Sequence, residues 1–185
     1  MVTMPKSCAT ASFASDYHAA TQWYALQVHP PHTTEITGIL KRKGYDAFTP
    51  WYRVTRRWCD RTCLSEVPLF PGYVFVKMDI RYRMPVLTTS GVRAVVGIGK
   101  QPAPIPEDEI VSLQGVVHSG LQIQPWPFLG RRGDRVQIED GPLAGIAGTL
   151  VDVKKTCRVV ISVELIERAV AVEIDLDSVR VTRRA

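Results

Sequence analysis

With 185 residues, 45% hydrophobic content and a mean hydropathy near zero, the chain can build one sizeable domain plus a small one around ordinary buried cores. No stretch approaches the ~18 consecutive apolar residues of a membrane helix, and Cys8, Cys59, Cys63 and Cys157 are too few and too scattered for a disulfide framework, which points to a reducing cytoplasm. The net charge of +5 is uneven: seven basic residues face two acidic ones between positions 41 and 61, whereas positions 131–185 carry ten basic and nine acidic. That local excess fits either nucleic acid phosphates or a solvated hairpin rim.

In chain order, residues 1–21 are small and polar, lack the apolar and basic regions of a signal peptide, and read as a disordered tail. Trp23 to Val28 carries large apolar groups on both faces, so it reads as a central strand. Pro30-Pro31 stops it, the second proline suiting the first turn of a helix on which Ile36, Ile39 and Leu40 are spaced as one face. Glu35 early and Lys41-Arg42-Lys43 late match the helix dipole, and Gly44 ends the helix. Tyr45 to Arg57 contains strand segments broken by Pro50, followed by a tip at 58–62 and a return over 65–69: an arginine-studded hairpin.

Phe70-Pro71-Gly72-Tyr73 then fixes a sharp entry into a second two-faced strand, Tyr73 to Met78, and sets aromatics at a sheet edge where a partner protein could use them. A short helix is expected within 81–89, and a strand over 92–96. Pro106 with Glu107, Asp108 and Glu109 opens a helix whose buried stripe is read as Ile110, Leu113 and Val117. The first module is therefore α+β, an antiparallel sheet of four or five strands with helices on one side, spanning 22–118. Residues 119–130, with Pro125-Trp126-Pro127, show no period and read as a partly stiff linker. Over 131–185 the period becomes two, with Val159, Ile161, Val163 and Leu165, then Val170, Val172, Ile174 and Leu176, sharing a face. Gly141, Gly145 and Gly148 mark turns, and the pattern predicts a small all-β SH3-like barrel.

No nucleophile–base pairing, phosphate loop or metal-ligand spacing emerges; Cys59-x-x-x-Cys63 has no histidine partners at ligand spacing. The chain reads as a two-module binding protein with no cofactor, not an enzyme, and as a monomer without a membrane contact.

Three segments, Trp23-Tyr24-Ala25-Leu26, Pro68 through Val76, and Gly91-Val92-Arg93-Ala94-Val95-Val96-Gly97, resemble the N-terminal (NGN) domain of the NusG family, a resemblance that Pro102 to Pro106 with Glu109-Ile110 continues. Gly133-Asp134-Arg135-Val136 to Gly148 is similar to the KOW motif opening that family's C-terminal barrel. The basic Arg53-Val54-Thr55-Arg56-Arg57-Trp58 hairpin and short linker look most like the specialised antiterminators of UpxY type, relatives of RfaH and LoaP.

The resemblance implies a transcription elongation and antitermination factor whose N-terminal domain grips the clamp helices of the RNA polymerase β′ subunit. The matching positions are Trp23, Tyr24, Phe70, Pro71, Tyr73 and Phe75. Of these, Trp23 and one strand aromatic are expected in the core, and Phe70 and Tyr73 at the interface. A loop including Arg81 and Arg83 corresponds to the edge that meets the β subunit, although the His-Thr-Thr signature RfaH uses there is absent. His29 stands where RfaH has a lysine that reads non-template DNA; with Arg42, Arg53, Arg56 and Arg57 it is a candidate for DNA backbone contact. The barrel implies a second partner: nascent RNA, Rho or a ribosomal protein. Lys154 and Lys155, with Arg158, suit RNA phosphates or form a charged turn that blocks edge pairing. The period-two pattern and three glycines favour a persistent barrel over the helical hairpin that RfaH's can form.

Overall fold

The structure is a computed structural model and describes residues 21–58, 61–127, 134–153, 156–174 and 178–183. Residues 1–20 of the predicted N-terminal tail, and Cys59, Lys154, Lys155 and Leu176, lie outside the described residues, whereas Thr21, read as tail, opens the first strand. The first module centres on a four-stranded antiparallel sheet made from β1 (Thr21–Val28), β2 (Asp46–Phe48), β5 (Tyr73–Asp79) and β6 (Val92–Val95), in the order β2-β5-β1-β6. β3 (Trp51–Trp58) and β4 (Arg61–Pro68) form a separate hairpin in register from Trp51↔Pro68 to Trp58↔Arg61. A smaller hairpin, β7 (Gly97–Ile98) and β8 (Gln101–Pro102), follows. Three α-helices accompany the sheet: α1 (Thr33–Arg42), α2 (Met84–Leu87) and α3 (Glu107–His118).

The two-faced reading of β1 is correct, and it forces a correction. Alternate residues of β1 enter different cores: Tyr24, Leu26 and Val28 pack with Ile36 and Leu40 of α1 and Val86 of α2, while Trp23 and Ala25 pack with Ile110, Leu113 and Val116 of α3. Helices therefore cover both faces of the sheet, not one, because both faces are apolar and each needs burial. On α3 the buried stripe is Ile110, Leu113 and Val116, with Val117 only half-buried. Its first turn holds Glu107, Asp108 and Glu109, which the helix dipole favours. At the end of α1, Gly44 has φ +86 and its N–H reaches the Lys41 carbonyl at 3.0 Å, the left-handed exit foreseen from the sequence. Lys43 is held structurally: its Nζ donates to Pro85 O at 2.9 Å and to Thr89 Oγ1 at 2.7 Å, pinning α1 to α2.

The second module is an antiparallel sheet of β10 (Asp134–Ile138), β11 (Ala147–Val153), β12 (Thr156–Val163), β13 (Arg168–Glu173) and β14 (Val179–Arg183). Its inner face carries Val136, Ile138, Val159, Ile161, Val163, Val170 and Val172, as the alternation required. A sixth strand was not foreseen. Residues Ile123–Trp126, inside the stretch read as a linker, form β9 and pair antiparallel with β13, so the order is β14-β10-β11-β12-β13-β9. Two prolines around one tryptophan hide the period of so short a strand; Pro125 is tolerated because β9 lies at the sheet edge.

Candidate functional site

The most distinctive surface grows from the Phe-Pro-Gly-Tyr turn. Gly72 sits at φ +85 and its carbonyl accepts the Val28 N–H at 2.8 Å, which fastens the turn to the end of β1. The turn delivers Phe70 edge-on to Phe75, ring centroids 6.4 Å apart, and Phe75 stacks on Phe48 of the paired strand at 6.2 Å. Trp23, Phe70 and Phe75 lie together on one face of the sheet, with Phe48, Tyr52 and Tyr73 packed around them. The Lys77 ammonium stands 6.0 Å from the Trp23 ring centroid and donates to Glu107 Oε1 at 2.8 Å, which holds the Glu107 carboxyl below its usual range.

Burial sorts the six predicted anchor residues. Trp23 and Phe75 are buried, as expected of core members, and so is Tyr24, on the opposite face, its hydroxyl donating to Gln22 Oε1 at 3.3 Å. Burial chiefly, with the Asp79 charge second, pushes the Tyr24 phenol up. Phe70, expected at the interface, is only 2% accessible: it lies edge-on to Phe75 within the buried cluster that also holds Leu69. The accessible rim is Pro71, exposed, and Tyr73, half-buried. Tyr52 and Phe48 join that rim and were missed; the β3–β4 register and the Phe48↔Phe75 pairing, not composition, place them there.

Past β5 the chain turns through Ile80–Tyr82, a 3-10 turn capped by Asp79, whose carboxylate accepts the Arg81 N–H at 3.0 Å and grips its guanidinium at 2.6 Å. That hydrogen bonding holds the Asp79 carboxyl below its ordinary value. Arg81 is thus engaged locally, while Tyr82, Arg83 and Met84 stand exposed beside it. On the hairpin, Arg53 is exposed and its Nε reaches Glu66 Oε1 at 3.4 Å across the strands. Arg56 and Arg57 occupy β3 opposite Cys63 and Thr62. His29 is exposed at the end of β1, its N–H donating to the Gly91 carbonyl at 3.0 Å, and Arg42 is exposed in the last turn of α1. The structure gathers Trp23, Phe70, Tyr73 and Phe75 into one cluster and leaves Tyr24 on the opposite face; it distributes the basic candidates over the end of β1, α1 and the β3–β4 hairpin. Among the described residues no group of three metal-ligating side chains occurs, and no helix is long and apolar enough to cross a membrane.

The aromatic face does not end at the first module. One continuous apolar cluster runs from Trp23 and Phe75 through Ile110, Leu113 and Val116 of α3 into the inner face of the C-terminal sheet. Gly115 lets the surfaces close: a Cβ there would stand 2.7 Å from Ile146 Cδ1. Beside this seam lies a cleft of about 530 Å³ lined by Asp108, Glu109, Ser112, Arg135 and Ser162. Glu109 accepts the Glu164 N–H at 3.3 Å across it, and burial, with lesser contributions from neighbouring Glu164 and Asp108, pushes its carboxyl up to about 7.

Comparison with known proteins assigns residues 21–114 to the family described as "Transcription termination factor nusG". The chain is 31% identical over 123 residues to the transcription termination/antitermination protein NusG of Thermus thermophilus, covering 60% of this chain and 66% of that one. It is 32% identical over 172 residues to the protein of the same description from Vibrio cholerae, covering 85% of this chain and 94% of that one. A solved structure, "Domain interaction in Thermotoga maritima NusG", matches 88% of this chain and 98% of its own at 19% identity, with a TM-score of 0.49.

Proposed function

The chain belongs to the NusG family of non-enzymatic transcription factors, and from that premise we propose that it is an elongation and antitermination factor acting on RNA polymerase. The proposed contact is the rim of the aromatic face, Pro71 and Tyr73 with Tyr52 and Phe48, seated on the clamp helices of the β′ subunit. Phe70, Phe75 and Trp23 act from beneath as a rigid floor. The observation that carries this reading is the ordered aromatic cluster built on the Phe-Pro-Gly-Tyr turn. Rigid rings supply contact area at little entropic cost, and such residues dominate interface energies.

Tyr82, Arg83 and Met84 are the proposed contact to the opposite jaw of polymerase, supported by their joint exposure. His29, Arg42, Arg53, Arg56 and Arg57 are proposed to meet the displaced DNA strand through its phosphates. Bridging the jaws favours the closed, elongating state; a preference of about 1.4 kcal/mol changes pause occupancy tenfold. The C-terminal module serves as an adaptor for RNA, Rho or a ribosomal protein, and the basic hairpin supports a specialised factor of UpxY type. The similarity to the Vibrio cholerae protein over 94% of its length favours a second reading, a general NusG factor acting at all genes.

The test is elongation through a strong pause in vitro. Tyr73→Ala with Pro71→Ala is expected to abolish pause shortening while circular dichroism stays native; unchanged polymerase binding would overturn the anchor assignment. Arg53→Ala is expected to lower the salt slope of DNA binding by about one.

A further inference from the structure

The segment between the modules is built into the second one with a specificity that a spacer does not need. In β9, alternate side chains serve opposite faces of the C-terminal sheet. Ile123, opposite Val172, is buried in the inner core. Trp126, opposite Ala169, packs on the outer face over Val160, Ala169 and Ala171. Two alanines on β13 leave the room that the indole fills, and Arg158 closes over it with its guanidinium 5.4 Å from the ring centroid. Arg158 is itself fixed by Glu173 at 2.6 Å. The β13 edge, the apolar surface of Val160, Ala169 and Ala171, and the Arg158 cation together form a fitted seat for β9.

β9 also determines how the modules are joined. Between the end of α3 at His118 and the start of β9 at Ile123 lie only residues 119–122. Ser119 Oγ donates to Val116 O at 2.7 Å and accepts the Leu121 N–H at 3.2 Å, so this turn is closed rather than slack. With β9 paired, those four residues reach at most ~14 Å; with β9 released, residues 119–133 reach ~50 Å. The seam between α3 and the C-terminal sheet is therefore held at high effective concentration only while β9 is seated.

We propose that the β13 edge is a strand-acceptor site which β9 fills in cis, so that release of β9 is the step that frees the C-terminal module from α3. The attachment is short by construction. β9 has four residues, it lies at the end of the sheet, and Pro125 brings no N–H to the ladder. The occupant that suits the seat is an extended segment with an aromatic residue at the position of Trp126 and an aliphatic one three residues before it. Any competing strand of that pattern would displace β9. The inference concerns the joint between modules and does not depend on what the aromatic face binds.

The experiment uses the full chain, with amide hydrogen exchange and small-angle X-ray scattering. Trp126→Ala is expected to speed exchange of residues 169–172 at least tenfold and to broaden the interatomic distance distribution as the modules separate. Because removing a packed ring could act by unfolding, a second variant inserts six Gly/Ser residues after Gly120, leaving β9 untouched. It is expected to keep β13 protected while loosening the α3 seam, seen as faster exchange over 109–116. A synthetic peptide of residues 121–127 added to Trp126→Ala is expected to restore β13 protection. Unchanged exchange at 169–172 in Trp126→Ala, or a scattering profile that stays compact in both variants, would overturn the proposal.

Discussion

The two faces of the N-terminal sheet are covered by helices in the same way and put to different use. On one, Tyr24, Leu26, Val28, Val74 and Val76 meet α1 and α2 in an aliphatic core that ends within the module. On the other, Trp23, Phe70 and Phe75 meet α3, and the apolar cluster continues into the C-terminal sheet. The first side closes its apolar contacts within the module; the aromatic side adds a rim of accessible rings and an apolar continuity with the second module. A strand buried on both faces supports both because its alternate residues answer to separate neighbours.

Emptying each core in turn is the strongest test of the division between the two faces. Phe75→Ala removes a fully buried ring that touches both Phe48 and Phe70, and should cost ~3–5 kcal/mol. Leu40→Ala, equally buried on the other face, should cost ~2–5 kcal/mol. Urea unfolding measures both. What separates them is reach: amide exchange in the C-terminal sheet should accelerate in Phe75→Ala and stay near wild type in Leu40→Ala. Equal behaviour of the two variants there would mean that the cores are not distinct.

A smaller effect probes the seam alone. Because the Glu109 carboxyl is raised from its ordinary 4.5 to about 7 by burial, the docked protein binds the proton more tightly than the unfolded chain. The sign follows: stability from this group is full below about pH 4.5, is lost as pH rises, and stays lost above about pH 7. Since Glu109 is only half-buried, screening reduces the effect to ~1 kcal/mol. Glu109→Gln keeps an oxygen for the Glu164 N–H and removes the charge. It should flatten the fall in stability between those two pH values; a wild-type slope retained in the variant would assign the pH dependence elsewhere.

The fold was legible where sequence period and chain punctuation agreed. The two-faced strands, the Gly44 exit, the acidic start of α3 and the alternation of β12 and β13 all follow from local chemistry. β9 was hidden because four residues with prolines around a tryptophan carry no period, and its register exists only through β13. The site was legible as a set of ring-bearing residues, but not as a floor and a rim. Whether Phe70 is exposed depends on Phe75 packing against it, a tertiary fact without a local signature. Tyr52 joins the face through a hairpin register, and Lys43, read from the sequence only as part of the cationic end of the helix, is held by Pro85 and Thr89, over forty positions away.

The finest test of continuity between the faces is a substitution expected to do almost nothing. Gly115 is a mid-helix glycine in α3, and replacing it with alanine should by itself gain ~1 kcal/mol of helix propensity. In the docked protein the new methyl would stand 2.7 Å from Ile146 Cδ1, so the isoleucine must turn aside and the gain is offset. Gly115→Ala should therefore change the melting temperature little. In an Ile146→Val background, which removes the opposing methyl, the same substitution should recover the full ~1 kcal/mol. The coupling between the two positions, read from a double-mutant cycle, exists only if α3 and the C-terminal sheet are in contact in solution. A stabilisation of equal size in both backgrounds would mean that the aromatic face ends at α3, as the aliphatic face ends at α1.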